Sequence, residues 1–210
     1  MNIAYNMDCM VAMREMEDNA FDLAVVDPPY GINIANMNMG LGNSPGLSKS
    51  YLRQWSKSDW DTTPPPDEYF VQLRRVSRNQ VIWGGNYFHL PPCKCFLVWD
   101  KGESMYGRSY SECELAWTSL ADNGRIFKHP PFIKWRFHPT QKPVALYKWI
   151  FARYAKPGMK ILDTHLGSGS SRIAAYDAGL DFVGYEIDET YFRLQEERFA
   201  RHTAQLSLFV

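Results

Sequence analysis

Short runs of apolar, β-branched or aromatic residues, each closed by Gly, Pro or charged positions, recur along the chain. Phe21–Val26, Gln80–Trp83, Cys95–Trp99, Glu112–Thr118, Lys160–Asp163 and Asp181–Ile187 have this pattern, which predicts buried strands. Between them the period lengthens. From Asp67 to Arg78, Tyr69, Phe70, Leu73 and Val76 fall on one face at helical spacing, after the stop Pro64-Pro65-Pro66 and an acidic first turn. Further helices are expected over Val144–Tyr154, from Gly169 to Gly179 and from Asp188 to about His202. Strands that alternate with helices predict an α/β fold, a parallel sheet with helices on both faces. The stretch at about 31–61 is rich in Gly, Asn, Ser and Met and has neither period, so it is expected to be a mobile flap in a single domain.

The 210 residues are 45% hydrophobic and 22% charged, which fits one compact globular domain and excludes disordered and fibrous classes. No apolar run is long enough to span a membrane, and the start lacks a basic segment followed by an apolar one. The expected setting is the cytoplasm of a bacterial or phage-infected cell. Lys+Arg and Asp+Glu are equal at 23 each, so any contact with nucleic acid must come from local patches rather than a bulk field. Of the cysteines Cys9, Cys93, Cys95 and Cys113, only Cys93 and Cys95 lie close together, and one intervening residue is too few for a zinc site. They are read as reduced thiols, with no metal. Aromatic residues reach 15%, and planar side chains suit both a core and base stacking.

Three motifs carry candidate chemistry. In Asp27-Pro28-Pro29-Tyr30 two prolines fix φ and remove two N–H donors, leaving the Asp27 carboxylate and a neighbouring carbonyl as a stiff acceptor pair beside an aromatic ring. Such a pair can grip the hydrogens of a planar amine, whose lone pair is otherwise delocalised, and so favour its attack on an electrophilic methyl. Read alone, the motif is also a plain strand-ending turn. Gly167-Ser168-Gly169-Ser170-Ser171 follows a strand and opens a helix, where free N–H groups meet a ligand, although Arg172 stands where the dinucleotide fingerprint needs a small residue. Glu186, ending the next strand, is placed to accept hydrogen bonds from ribose hydroxyls. His138-Pro139-Thr140-Gln141-Lys142-Pro143 enters a helix with a hydroxyl, an amide and an ammonium that would suit an amino-acid carboxylate or simply solvent.

In this order the motifs resemble the permuted (beta-group) DNA amino-methyltransferases, the N6-adenine/N4-cytosine family that uses S-adenosylmethionine. The likeness covers nearly the whole chain except the flap. Met7-Asp8-Cys9, Trp83-Gly84-Gly85 and Trp99-Asp100-Lys101 add to it. It implies a Rossmann-like methyltransferase fold with a mixed seven-stranded sheet and one strand reversed near an edge. Asp27, Pro28, Pro29 and Tyr30 would be the catalytic clamp. Asp8, Cys9, Asp27, His138, Thr140, Gln141, Lys142, Asp163, His165, Gly167, Ser168, Gly169, Ser170, Ser171 and Glu186 would surround the cofactor S-adenosylmethionine. The chain departs from the family at Asp163-Thr164-His165-Leu166, where Asp-Pro-Phe is usual, so His165 replaces an aromatic wall.

The resemblance makes DNA the partner and adenine N6 the expected target, with cytosine N4 as the alternative and an inactive DNA- or clamp-binding module as the competitor from another class. A short segment at about 122–142, continuing to Lys148, carries Arg125, Lys128, Lys134, Arg136, Lys142 and Lys148 interleaved with Phe132, Trp135 and Phe137, a mixture suited to phosphate contact and stacking. Arg53, Trp55 and Lys57 in the flap are similar candidates. Little chain remains for target recognition once the core is subtracted, so a short site, a homodimer or a relaxed target is expected. The tail Gln205, Leu206, Ser207, Leu208, Phe209 and Val210 resembles the pentapeptide by which bacterial replication proteins dock on the sliding clamp.

Overall fold

The computed structural model describes residues 1–33, 61–133 and 136–206. The candidates Arg53, Trp55, Lys57, Lys134 and Trp135, most of the expected flap, and the tail residues Ser207, Leu208 and Phe209 lie outside the described residues, as does the side chain of Leu206.

The elements follow as β1 (Asn2–Asn6), α1 (Cys9–Glu15), β2 (Phe21–Val26), α2 (Asp67–Val76), β3 (Ser77–Trp83), β4 (Phe96–Asp100), β5 (Cys113–Thr118), β6 (Arg125–Lys128), α3 (Val144–Tyr154), β7 (Lys160–Asp163), α4 (Ser170–Asp177), β8 (Asp181–Glu186) and α5 (Glu189–Leu206). They build an eight-stranded sheet in the order β1-β8-β7-β2-β3-β5-β4-β6. β5 runs antiparallel to both neighbours, and the other pairings are parallel. The expected reversed strand is therefore present, and among the described residues it lies third from one edge of a sheet of eight strands rather than seven.

Both edge strands escaped the sequence pattern for a physical reason. β1 reads Asn-Ile-Ala-Tyr-Asn and gains its partner only from β8, in the register Asn2↔Phe182 to Asn6↔Glu186. β6 is four residues, Arg-Ile-Phe-Lys, which as a sequence looks like a basic loop.

Two apolar layers flank the sheet. On one side α3 and α4 pack Leu146, Ile150, Phe151 and Ala174 against Val25, Trp83, Leu97 and Phe182. On the other, α1 and α2 pack Met13, Tyr69, Phe70 and Leu73 against Val26, Ile82 and Leu162. Burying a side chain such as Leu73, wholly inaccessible, stabilises the fold by about 1.5–3 kcal/mol. Beyond these helices Phe96, Leu115 and Ile126, on the outer strands, stay exposed.

Parallel direction puts the carboxyl ends of β2, β3, β7 and β8 on one edge of the sheet, where ligands of open α/β sheets bind. Because β5 is reversed, its first residues reach that same edge.

Candidate functional site

β2 delivers Asp27 to this edge, and Pro28 and Pro29 stiffen the turn that follows. The buried Asp61 carboxylate pins the turn from behind, accepting the amides of Tyr30 at 2.8 Å and Gly31 at 3.0 Å. The Tyr30 hydroxyl donates to Asp27 Oδ1 at 2.7 Å. Its ring stacks on Tyr87 with centroids 4.9 Å apart and planes 14° from parallel. Gly84, at φ +71°, lies against the same ring, and a Cβ there would come within 2.1 Å of Tyr30 Cε1. Only glycine fits this combination of left-handed backbone and close approach.

Asp27 Oδ2 meets Lys142 Nζ at 2.5 Å, and that ammonium also lies 3.0 Å from Glu114 Oε2. Lys142 also donates to the Tyr30 hydroxyl at 3.2 Å. Glu114 Oε1 receives Lys101 Nζ at 2.9 Å, so alternating charges, Asp27, Lys142, Glu114 and Lys101, form a chain with the buried Lys142 ammonium inside it. The Lys142 side chain is 2% exposed, and burial alone would discharge it, but Asp27 and Glu114 outweigh burial and hold it protonated. Burial likewise pushes Glu114 up, yet Lys142 and Lys101 bring its carboxyl down to about 2. The Asp27 carboxyl is raised by burial, with Lys142 opposing and Glu114 adding.

The second half of the site is the turn between β7 and α4. Asp163 organises it from below, accepting the His165 amide at 3.0 Å and the Ser171 hydroxyl at 2.5 Å. Arg198 of α5 braces it, donating to the Ser168 carbonyl at 2.7 Å and the Ser170 hydroxyl at 2.9 Å. Glu186 Oε2 accepts the Gly167 amide at 2.7 Å and Oε1 the Asp188 amide at 2.9 Å, which leaves each oxygen further acceptor capacity. Burial pushes the carboxyls of Asp163 and Glu186 up to about 7.

The third wall is the loop before α3. The Thr140 amide donates to His138 Nδ1 at 3.3 Å, which makes Nδ1 the acceptor and places the ring proton on Nε2. Burial and the nearby Arg136 lower the His138 pKa to about 3, so the ring is neutral. Gln141 spends its side-chain oxygen on the Phe137 amide at 3.2 Å, while its Nε2 is buried with no partner among the described residues.

A cleft joins these walls. Asp27, Pro29, His138, Thr140, Gln141, Lys142, His165, Gly167, Ser168, Ser170 and Glu186 line it, together with Tyr147, Leu166, Ile187, Asp188 and Tyr191, which sequence reasoning missed. Asp163, Gly169 and Ser171 are outside the lining and shape the turn behind it. Asp8 is the N-cap of α1, accepting the Met10 amide, and the buried Cys9 thiol is pushed up to about 12, mainly by desolvation. Neither lines the cleft. The Lys142 ammonium, expected at a cofactor carboxylate, is instead committed to two protein carboxylates, because those anions are what stabilise its charge out of water.

The family model for DNA methylases of the N6/N4 group matches residues 93–197, half of the chain. The chain belongs to this N6/N4 DNA methylase family. Among curated relatives of this methylase, YubD of Escherichia coli (strain K12) is 26% identical over 92% of the chain and 88% of its own length. The type II methyltransferase M2.MboI of Moraxella bovis is 23% identical over 96% of the chain and 89% of its own length. The solved structure of M1.HpyAVI in complex with SAM superposes with a TM-score of 0.58 over 94% of this chain and 100% of that one, at 20% identity, a likeness of fold.

The cleft of this methylase suits a cofactor with a ribose and an amino-acid end. Glu186 offers spare acceptor capacity at one wall, and Gln141 Nε2, orphaned among the described residues, offers donors at another, beside the Thr140 hydroxyl, which lies 3.2 Å from His138 Nδ1. The expected basic stripe is less free than its composition suggests. Arg125 pairs with Asp122, Lys128 with Glu103, Lys148 with Asp177 and Lys142 with Asp27, while Arg136 turns back onto the carbonyls of His138 and Pro139.

Proposed function

We propose that this methylase transfers a methyl group from S-adenosylmethionine to the N6 amine of adenine in DNA. The observation that carries this reading is the Asp27 carboxylate on a proline-stiffened turn, at one wall of the same cleft that Glu186 and Gly167 shape at another.

When bound, S-adenosylmethionine supplies a methyl on a sulfonium, already activated as an electrophile. Glu186 would hold its ribose hydroxyls, Gln141 and Thr140 its carboxylate, and His165 the wall beside its adenine, with Asp8, whose charge acts on His165, and Cys9 outside the cleft lining. Asp163, Ser171, Gly169, Ser168 and Ser170 keep the turn in shape. Tyr30 and Pro28 place the flipped base, whose extrusion costs a few kcal/mol of lost stacking and pairing. In the resting site the Tyr30 hydroxyl engages Asp27 Oδ1 and Lys142 engages Oδ2, and each oxygen keeps a further lone pair for the incoming amine. Asp27 and the adjacent carbonyl then accept the amine hydrogens, which favours a pyramidal nitrogen, and Asp27 stabilises the positive charge on that nitrogen as the C–N bond forms and the methyl's bond to sulfur breaks, a neutral thioether leaving and the surplus amine proton passing to solvent. DNA contact is assigned to the segment at about 122–142, where Phe132 is 67% exposed and the sequence also carries Lys128, Lys134, Trp135 and Arg136, and to Arg53, Trp55 and Lys57.

By analogy with the family, Asp rather than Ser before Pro28-Pro29 favours adenine. The same acceptor pair would also serve cytosine N4. Labelled methyl transfer followed by digestion of the DNA to nucleosides tests the reading, with N6-methyldeoxyadenosine expected and no label from Asp27→Ala. N4-methyldeoxycytidine would establish the second reading, and undiminished labelling by Asp27→Ala would refute both. Docking of Gln205 to Phe209 on the sliding clamp is a separate proposal, tested by clamp binding after deleting residues 205–210.

A further inference from the structure

Glu114 has no role in the clamp as described, yet it sits in the second position behind the reacting carboxylate. It stands at the start of β5, paired in register with Trp99 of β4, and reaches the catalytic edge only because that strand is reversed. Its two oxygens are divided, one 3.0 Å from Lys142 Nζ and the other 2.9 Å from Lys101 Nζ. We propose that Glu114, anchored by Lys101, is a positioning residue for methyl transfer: it shares the Lys142 ammonium with Asp27 and so sets where that ammonium sits and how strongly Asp27 accepts the amine. The inference rests on the proposed reaction for its kinetic consequence but not for its electrostatic one.

An ammonium held by one carboxylate neutralises it more completely than one shared between two. Without Glu114, Lys142 would belong to Asp27 alone, and the clamp would be a weaker acceptor. Without Lys101, Glu114 would compete harder for Lys142, and the Asp27 carboxylate would lose part of its counter-charge. The two perturbations therefore act on Asp27 with opposite signs, which a purely structural role for the pair would not produce. The other groups coupled to this carboxylate are Tyr30 on its own turn, Asp163 at the end of β7, Tyr147 on α3 and Tyr69 on α2; Glu114 also raises the Tyr30 and Tyr147 hydroxyls, so Glu114→Gln lowers those two, while both phenols stay above an ordinary tyrosine and protonated across the carboxyl titration.

The test compares the full chain with Glu114→Gln and Lys101→Met. In the cofactor-free proteins, ¹³C NMR titration of labelled aspartate carboxyls, with Asp27 assigned from Asp27→Asn, should show the Asp27 midpoint lower in Glu114→Gln and higher in Lys101→Met, each by about one unit. Single-turnover methyl transfer at saturating DNA and cofactor should fall about tenfold or more in Glu114→Gln, with cofactor Kd within about twofold and partial rescue in Glu114→Asp. An Asp27 midpoint unmoved, or moved in the same direction by both variants, overturns the proposal. So does a full single-turnover rate in Glu114→Gln. If the unaltered chain transfers no methyl to DNA while the midpoints move as stated, the proposed reaction fails and the electrostatic placement stands.

Discussion

Glu186 makes the cofactor site sensitive to pH in a calculable way. Burial raises its carboxyl from an ordinary value near 4.5 to about 7, so in the empty cleft it is largely protonated at pH 6 and ionised at pH 8. Accepting ribose hydroxyls favours the ionised form, so binding must expel the proton below pH 7. Affinity for S-adenosylmethionine should then weaken about tenfold for each unit below that point, until the pH meets the lower value of the complex. Between pH 8 and pH 5.5 the Kd should rise about thirtyfold, with about one proton released on binding at pH 6. Isothermal titration in buffers of different ionisation enthalpy reads both quantities. Glu186→Gln removes one acceptor and the titration together, so it should bind about 10- to 100-fold more weakly at pH 8 and show a flattened profile. A Kd that does not change across this range in the unaltered protein, or a slope that persists in Glu186→Gln, would refute the reasoning. Asp163 also titrates at about 7, but it lies outside the cleft lining and is unchanged in the control.

Further outcomes follow from other contacts. Gly84→Ala should displace the Tyr30 ring, cutting methyl transfer at least about tenfold, and the left-handed backbone should cost about 1–2 kcal/mol in denaturant unfolding. Ser171→Ala leaves one Asp163 oxygen without its hydroxyl donor. Since that bond favours the ionised carboxyl, the loss of about 1–3 kcal/mol should appear in unfolding at pH 8 and shrink at pH 5.5. Leu97→Ala, at a wholly buried site on β4, should cost about 2–5 kcal/mol in chemical denaturation while leaving single-turnover rates of the folded protein near normal.

Much of this was legible in the chain because the informative features are local. The strand cores, the helix Val144–Tyr154 and the proline and glycine turns each declare themselves within a few residues. What escaped depends on contacts distant in sequence. β1 and α1 are short and draw stability from β8 and α2, not from their own periodicity. Asp61 pins the catalytic turn from thirty residues away, and nothing around it marks a buried carboxylate. Glu114 alternates with apolar neighbours in Cys-Glu-Leu-Ala-Trp-Thr, a pattern that reads as a solvent-facing side chain. Its burial follows from the reversal of β5 and from two lysines on other segments. The basic segment misled in the opposite sense, since composition counts its charges and not the carboxylates and carbonyls that engage them.

Tyr30 already has a stacking partner, since Tyr87 covers it nearly parallel while remaining 47% exposed itself. A planar guest stacking on that same face of Tyr30 would have to displace the phenol, and its gain would then be the difference between two similar π contacts rather than a whole one. Discrimination among such guests would then pass to their hydrogen-bonding edges, read by Asp27.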